Sequence, residues 1–221
     1  MTTTALPVSV GGRAVQNGRP QRGRAPQRRM TEQEFADWCT TDTWAEWVDG
    51  EVIVMSPVNI EHGQLFSFLH ALLRGFVDDR GLGDVLAEPV QIRIEKLRSR
   101  RAPDILFLSN ARSHQIRETY IDGAPDLILE ITSPESQSRD RRDKFLEYEE
   151  AGVREYWIVD PLSKTVEAYA AVKGRYRPIK VIEGKVPSKV LAGFFIRPEW
   201  LWRKRLPKVS ELLKQMSSSR G

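Results

Sequence analysis

Two acidic residues placed in apolar runs have types and spacing that suit metal-assisted hydrolysis of a phosphodiester. Asp104 follows Pro103 at the start of the run Ile-Leu-Phe-Leu, and Glu130 lies inside the run Leu127 to Thr132. A buried, charged Glu is costly unless a cation or a hydrogen-bonding partner compensates it. If the two runs form neighbouring strands, both carboxylates can converge on one Mg²⁺, with Mn²⁺ as a substitute, because hard cations prefer oxygen ligands. The metal would then acidify a bound water and offset charge on a scissile phosphate.

A lysine follows the two carboxylates on a predicted helix. Asp140, Lys144 and Tyr148 are spaced i, i+4 and i+8, which places them on one helix face. From that face Lys144 could orient the attacking water or stabilise the transition state. The sequence therefore predicts Asp104, Glu130 and Lys144 as catalytic residues, with Asp104 and Glu130 as the metal ligands.

Each of these residues also has an ordinary structural interpretation. Asp104 could be a polar residue at a strand start, Glu130 could pair with Arg93, and Lys144 could pair with Asp140 on a solvated face. A basic cluster before Asp104 could be a solvated hairpin loop, or it could hold phosphates beside the site. Its members are Arg93, Lys96, Arg98, Arg100 and Arg101.

The elements that must position these residues are visible in the apolar patterning. Thr31 and Glu34 form a capping-box pattern before a short helix, and Asp49-Gly50 between two β-rich runs predicts a hairpin. Three- and four-residue spacing from Ile60 to Asp79 predicts an amphipathic helix. A second helix is predicted over 138–150, and strands are predicted over 90–94, 105–108, 127–132, 156–159, 165–170 and 176–182.

The order of these elements predicts a mixed α/β (α+β) fold. The strand, helix and strand from Leu127 to Val159 indicate one parallel pair, whereas the flanking hairpins indicate antiparallel partners. A mixed central sheet flanked by helices, with an N-terminal helix and β-hairpin, follows from this order.

Charge divides the 221 residues into three segments. The net charge of +4 arises from the ends, since residues 1–29 carry +6 and residues 203–221 carry +5, whereas residues 30–202 carry −7. We therefore predict a disordered Arg-rich leader (1–29), a single domain (30–202) and a basic C-terminal tail (203–221). One cysteine, Cys39, and the lack of a long apolar run or signal-peptide pattern predict a cytoplasmic protein without a membrane partner.

Several motifs together resemble a known family, the putative restriction endonucleases of the Uma-two type. The resemblance covers about residues 30–200 and rests on Trp-Val-Asp-Gly-Glu-Val (47–52), Met-Ser-Pro (55–57), His62, Ala-Pro-Asp (102–104), Pro-Asp-Leu-Ile-Leu-Glu-Ile-Thr-Ser-Pro (125–134), Asp-Arg-Arg-Asp-Lys (140–144) and Gly-Val-Arg-Glu-Tyr-Trp-Ile-Val-Asp-Pro (152–161). This family is part of the PD-(D/E)XK nuclease superfamily. The resemblance implies a restriction-endonuclease-like fold with Asp104 and Glu130 as metal ligands.

One motif departs from the superfamily pattern. Thr132 stands where Glu-x-Lys would have its lysine, and the resemblance implies that Lys144 on the next helix replaces it. Glu51 and His62 match family positions near the site and are possible auxiliary residues. An exposed hairpin position and a helix cap remain the alternatives for them.

These observations predict a Mg²⁺-dependent endonuclease that acts on DNA, with Arg98, Arg100 and Arg101 as weak candidates for nucleic-acid contacts. A catalytically silent nucleic-acid-binding or assembly module with the same fold is the alternative, and a hydrolase of small phosphate esters would use the same site. A cut in both strands needs two sites, which favours a homodimer.

Overall fold

The computed structural model describes residues 28–40, 43–133 and 139–218, with the backbone alone for 139–141 and 218. The helices are α1 (Glu32–Trp38), α2 (Ile60–Asp78), α3 (Phe145–Ala151), α4 (Pro198–Leu201) and α5 (Val209–Ser218). The strands are β1 (Ala45–Val48), β2 (Glu51–Val54), β3 (Gly83–Ala87), β4 (Gln91–Ile94), β5 (Ser99–Arg101), β6 (Ile105–Ser109), β7 (Tyr120–Asp122), β8 (Leu127–Ile131), β9 (Glu155–Asp160), β10 (Thr165–Val172), β11 (Arg175–Pro178), β12 (Val186–Pro187) and β13 (Phe195–Ile196).

Two mixed sheets form the body of the fold. One has the strand order β2-β1-β5-β4-β7, and the other has the order β11-β10-β9-β8-β6-β3. Strands β8 and β9 are parallel, as the sequence predicts, and β4 and β7 form a second parallel pair. The remaining pairs within both sheets are antiparallel. The predicted mixed α/β architecture is confirmed.

Alternating side chains of the six-stranded sheet separate two hydrophobic cores. Phe107, Leu129 and Trp157 lie on the face that packs against α2 and α5. Leu106 and Ile128 lie on the opposite face, which contacts α3 and the five-stranded sheet. Because side chains of a strand alternate between faces, Asp104 and Glu130 share the second face with Leu106 and Ile128. Both predicted metal ligands therefore lie between the two sheets.

Local sequence signals account for the elements near the N-terminus. The Thr31 side chain accepts from the Glu34 amide, and the Glu34 carboxylate accepts from the Thr31 amide, which completes the capping box at α1. Asp49 and Gly50 have φ of 43° and 95°, as a tight turn between β1 and β2 requires. Both predictions are confirmed.

The second helix differs from a continuous α-helix. Residues Arg139–Lys144 form a π-helical turn, and α3 follows and ends at Gly152, whose φ is 88°. The side chain of Asp140 is not among those that the structure describes, so its predicted alignment with Lys144 stays a prediction. Lys144 and Tyr148, in contrast, are one α-helical turn apart and reach the same partner, as described below.

The C-terminal segment is more structured than the predicted basic tail over 203–221. It contains α5, whose Leu212 and Met216 are 3% and 1% exposed in the core beside α2. A Cβ on Gly75 of α2 would lie 2.7 Å from Leu213 Cδ1, so glycine permits this close approach. The charge count had indicated a tail because it ignores the apolar spacing of Leu212 and Met216.

The predicted leader, residues 1–29, lies outside the described residues except for Arg28 and Arg29. Within the described part of the chain, no helix combines the length and the apolar character that crossing a membrane requires.

Candidate active site

Three carboxylates lie side by side where adjacent strands of the six-stranded sheet meet, with Glu88 just after β3, Asp104 just before β6 and Glu130 within β8. The register Ala87↔Ile105 between β3 and β6 places Glu88 opposite Asp104, and the Glu88 amide donates to the Asp104 carbonyl at 3.1 Å. The register Ile105↔Leu129 between β6 and β8 places Asp104 opposite Glu130. Directly opposed residues of an antiparallel pair point to the same face. The sheet therefore presents Glu88, Asp104 and Glu130 in one row, facing α3.

Asp104 is the middle carboxylate and is 7% exposed. Its Oδ2 accepts a hydrogen bond from the Ile131 amide at 2.5 Å and lies 3.5 Å from Nε2 of His62. Burial acts to lower the pKa of His62, but the hydrogen bond and the charge of Asp104, together with the charge of Glu88, raise it above its ordinary value of 6.5 overall. His62 is thus a partner of Asp104, as well as a residue of the first turn of α2.

Glu130 is compensated by donors from α3 and the turn before it. Its Oε1 accepts from Lys144 Nζ at 2.8 Å and from the Tyr148 hydroxyl at 2.9 Å. Lys144 is 2% exposed, so the solvated helix face considered for it does not exist here. Arg93, the other partner considered for Glu130, forms ion pairs with Glu32, Glu95 and Asp122 instead.

A second carboxylate holds the same lysine from the opposite sheet. Glu46 in β1 is fully buried, and its Oε1 lies 3.3 Å from Lys144 Nζ. Its Oε2 accepts from Arg101 Nη1 at 2.9 Å. The pairing Trp47↔Arg100 between β1 and β5 places Glu46 opposite Arg101, which explains this ion pair. Lys144 therefore connects the carboxylates of the two sheets.

Arg101 also binds α3. Its Nε donates to Glu147 Oε2 at 2.9 Å, and the Ser99 hydroxyl donates to the other Glu147 oxygen. Burial acts to lower the pKa of Arg101, but Glu46 and Glu147 raise it well above its ordinary value. Arg101 is consequently a buried structural partner of Glu46, 3% exposed, and does not belong to an exposed basic cluster. Its contact with nucleic acid stays a prediction.

Among the side chains that the structure describes, the charge cluster between the two sheets contains more acidic than basic groups. Its carboxyl groups are Glu46, Glu88, Asp104, Glu130 and Glu147, whereas its permanent cations are Arg101 and Lys144. Burial, followed by the charge of Asp104, raises the pKa of Glu88 to about 7. The charge of Asp104 thus adds to the effect of burial, and both favour the protonated form of Glu88.

The row does not by itself form a complete metal cage. Within residues 28–40, 43–133 and 139–218, no group of three or more His, Cys, Asp or Glu side chains is arranged to hold a metal ion. Oxygen ligands from two carboxylates are nevertheless the type that Mg²⁺ accepts, since this ion keeps several waters and takes substrate oxygens in its remaining positions. The carboxylate oxygens of Asp104 and Glu130 are donor types that fit a divalent cation.

The other predicted residues lie away from the row. Glu51 is exposed at the start of β2, so the hairpin alternative describes its position. Arg98 is exposed and lies 3.0 Å from Asp49, and Arg100 is half-buried against Glu32 and the Tyr120 ring. Thr132, at the position of the displaced lysine, is buried at the end of β8.

Glu46 and Glu88 were not predicted as site residues. Glu46 lies between Ala45 and Trp47 in an apolar run, and the burial argument used for Glu130 would have identified it. Glu88 had no comparable signal, because β3 contains Gly83 and Asp84 and reads poorly as a strand. Its position follows from pairing with β6, which the sequence does not show.

Comparisons with known proteins agree with this fold. A family model described as Uma2, putative restriction endonuclease, matches residues 32–198. A crystal structure of a putative nuclease belonging to DUF820 from Anabaena variabilis has a TM-score of 0.66 and 19% identity, and the match covers 78% of this chain and 97% of that one. A search of curated proteins found no match. Since the family match spans most of the chain, the protein belongs to the Uma2 family of putative restriction endonucleases.

Proposed function

We propose that this protein is a divalent-metal-dependent endonuclease that hydrolyses phosphodiester bonds in DNA. The observation that carries the proposal is the opposed pair Asp104 and Glu130, held on one sheet face beside the buried Lys144. Membership of the Uma2 family supports a nuclease-type activity.

In this proposal Asp104 and Glu130 would hold Mg²⁺, or Mn²⁺ in its place. Such a cation would supply an acidified water and would offset charge on the phosphate. Asp104 is oriented by the Ile131 amide and by His62, which limits the directions in which its second oxygen can point. His62 is therefore a positioning residue.

Lys144 supplies the positive charge that the chain itself brings to the site. Glu46 lies 3.3 Å from Lys144 Nζ and would keep the lysine in place if Glu130 used an oxygen to hold a cation. Arg101 holds Glu46 in turn and is itself paired with Glu147. From this position the ammonium group can stabilise charge on the phosphate or orient the attacking water.

The test is a cleavage assay of the purified protein with plasmid and oligonucleotide DNA in the presence of Mg²⁺ or Mn²⁺. We expect cleavage by the natural chain and none by the Asp104→Ala/Glu130→Ala double variant. Glu118→Ala/Glu211→Ala is a matched control, because it removes two exposed carboxylates outside the row. Cleavage that persists in the double variant would overturn the proposal.

A catalytically silent nucleic-acid-binding or assembly module is the second candidate. The observation that favours it is that Lys144 and Tyr148 already compensate Glu130 without a metal. Calorimetric titration with Mg²⁺ distinguishes the two functions, because only the nuclease requires a cation at Asp104 and Glu130. Heat of binding that disappears in the double variant favours the nuclease.

A cut in both strands would require two such sites, and we propose a homodimer as the simplest source. Sedimentation of the purified protein with and without duplex DNA measures this directly. A monomer that cuts only one strand would contradict the homodimer.

A further inference from the structure

A large cleft runs along the first half of α2. Its volume is about 960 Å³, and its opposite wall is the segment from Leu201 to Val209, between α4 and α5. Ile60 on the α2 side is 80% exposed, and Leu201 at the base is buried. The cleft therefore has an apolar floor and an open side.

The rim of the cleft is basic, in contrast to the acidic body of the chain. Lys164, Arg203, Lys204 and Arg205 line it, and Glu61 is its acidic residue within the described part of the chain. Among the residues that the structure describes, Lys164, Lys204 and Arg205 have no ion-pair partner, whereas Arg203 lies 3.7 Å from Glu199. The rim thus carries positive charge that no carboxylate among the described residues neutralises by an ion pair with Lys164, Lys204 or Arg205.

An unpaired hydrogen-bond donor lies in the same wall. The indole N–H of Trp202 is buried and has no partner among the described residues. Trp202 lines the cleft beside Arg203. A buried donor without an acceptor is costly, and a ligand that brings an acceptor oxygen would remove that cost.

The cleft adjoins a smaller cavity that lies beside the proposed active site. Asn59 and Glu61 line both the cleft and a smaller cavity of about 120 Å³. His62, Thr132 and Asp160 line that smaller cavity, and His62 contacts Asp104. A chain that occupies the cleft would lead to the carboxylate row.

The geometry points to this cleft as the track for the phosphate backbone of duplex DNA, with Lys164, Lys204 and Arg205 as its phosphate contacts. This inference rests on the proposed function, since it names where the same substrate lies. A run of phosphates matches the three unpaired cations and supplies acceptor oxygens for Trp202. Lys204 and Arg205, which the sequence analysis assigns to the basic C-terminal tail, lie between α4 and α5 and line this cleft.

A second copy of the chain fits the cleft less well. In a two-fold symmetric dimer the same patch occurs on both subunits, so the basic rims would face each other. Like charges brought together in this way repel. Charge complementarity therefore favours the polyanion.

The test measures binding in EDTA, which separates it from cleavage. A labelled duplex oligonucleotide is titrated with the natural chain and with a Lys164→Ala/Lys204→Ala/Arg205→Ala variant at several salt concentrations, and anisotropy gives Kd. Each lost phosphate contact should reduce the slope of log K against log salt by about 0.9. Weaker binding with a shallower slope is the expected result.

The matched control removes three exposed basic residues from another surface. Lys173, Arg177 and Lys180 lie in or beside β10 and β11, and their triple alanine variant has the same net charge. We expect the control to bind like the natural chain. An equal loss in both variants, or no loss in the cleft variant, overturns the inference, as does a natural chain that binds no duplex.

The failure of this inference can be distinguished from the failure of the proposed function. If the natural chain cleaves DNA but the cleft variant binds normally, the track is wrong and the nuclease proposal stands. If the cleft variant loses binding but no preparation cleaves DNA, the track is supported and the silent module replaces the nuclease. Sedimentation that shows a dimer dissociated by the cleft substitutions, with DNA binding unchanged, would assign the cleft to self-association and overturn the inference.

Discussion

Lys144 is held by two carboxylates in a site almost closed to solvent. Because water cannot replace it there, its positive charge is needed to compensate both carboxylates. Replacing it with Met would leave Glu130 and Glu46 without the contacts at 2.8 and 3.3 Å. Removing one partner of a buried ion pair costs about 3–5 kcal/mol. We expect Lys144→Met to lower the free energy of unfolding in urea by this amount. Lys173→Met, at an exposed position, is the control, and equal stability of the two variants would contradict the burial argument.

Glu88 should make stability depend on pH in a defined direction. Its pKa is about 7 in the folded chain and 4.5 ordinarily, so between these values the folded state binds more protons than the unfolded state. Its contribution to the free energy of unfolding should therefore fall as pH rises from about 4.5 to about 7. His62, with a raised pKa, acts in the same direction.

The variant Glu88→Gln isolates the contribution of Glu88. We expect the natural chain to lose more stability than the variant as the pH of urea unfolding experiments rises across this interval. The variant should be the more stable of the two above pH 7, where burial penalises the charged Glu88. Parallel pH profiles would show that Glu88 titrates normally.

At the residue scale, the burial of an acidic residue such as Glu130 can be predicted from its place inside an apolar strand. The sequence also places Lys144 one turn from Tyr148. It does not give the partners, because Glu46 and Arg101 come from strands that are far from Glu130 in sequence. The buried Arg101 was interpreted as a surface residue because its neighbours Arg98 and Arg100 dominate the local composition.

Among the elements, α5 contributes side chains to the core that the charge pattern of the C-terminal segment does not predict. Leu212 and Met216 face α2 in the core. Large-to-small substitution in a core costs about 2–5 kcal/mol, so Leu212→Ala and Met216→Ala should each destabilise the chain by this amount. The comparison is with Glu211→Ala, an exposed position on the same helix, which should change stability by less than about 1 kcal/mol. Equal effects at all three positions would mean that α5 does not pack as described.

The predicted elements are those with a strong local pattern. The helix α2 and the strands β6, β8 and β9 have continuous apolar runs or three- and four-residue spacing, and their predicted bounds lie within a few residues of the structure. The short strands β3 and β7 have no such pattern and exist through pairing with β6 and β4. Tertiary pairing of this kind cannot be read from a local window.

At the scale of the whole molecule, two segments of the chain differ in net charge and therefore in their expected attraction to DNA. The body (30–202) carries −7, whereas the first 29 residues carry +6. If the leader adds phosphate contacts, a chain that begins at Met30 should bind duplex DNA more weakly and with a shallower salt slope. Anisotropy titrations of the shortened and full chains measure this. Equal slopes would assign the salt dependence to residues 30–221 alone.

The row Glu88, Asp104 and Glu130 depends on the registers of β3, β6 and β8. A shift of one residue in any of these strands turns its side chains to the other face. Such a shift would bury a carboxylate against α2 and move core residues such as Phe107 or Leu129 toward α3. We therefore expect insertions and deletions in these strands to cause misfolding and to be lost in evolution. The site can then diverge by substitution but not by changes of strand length.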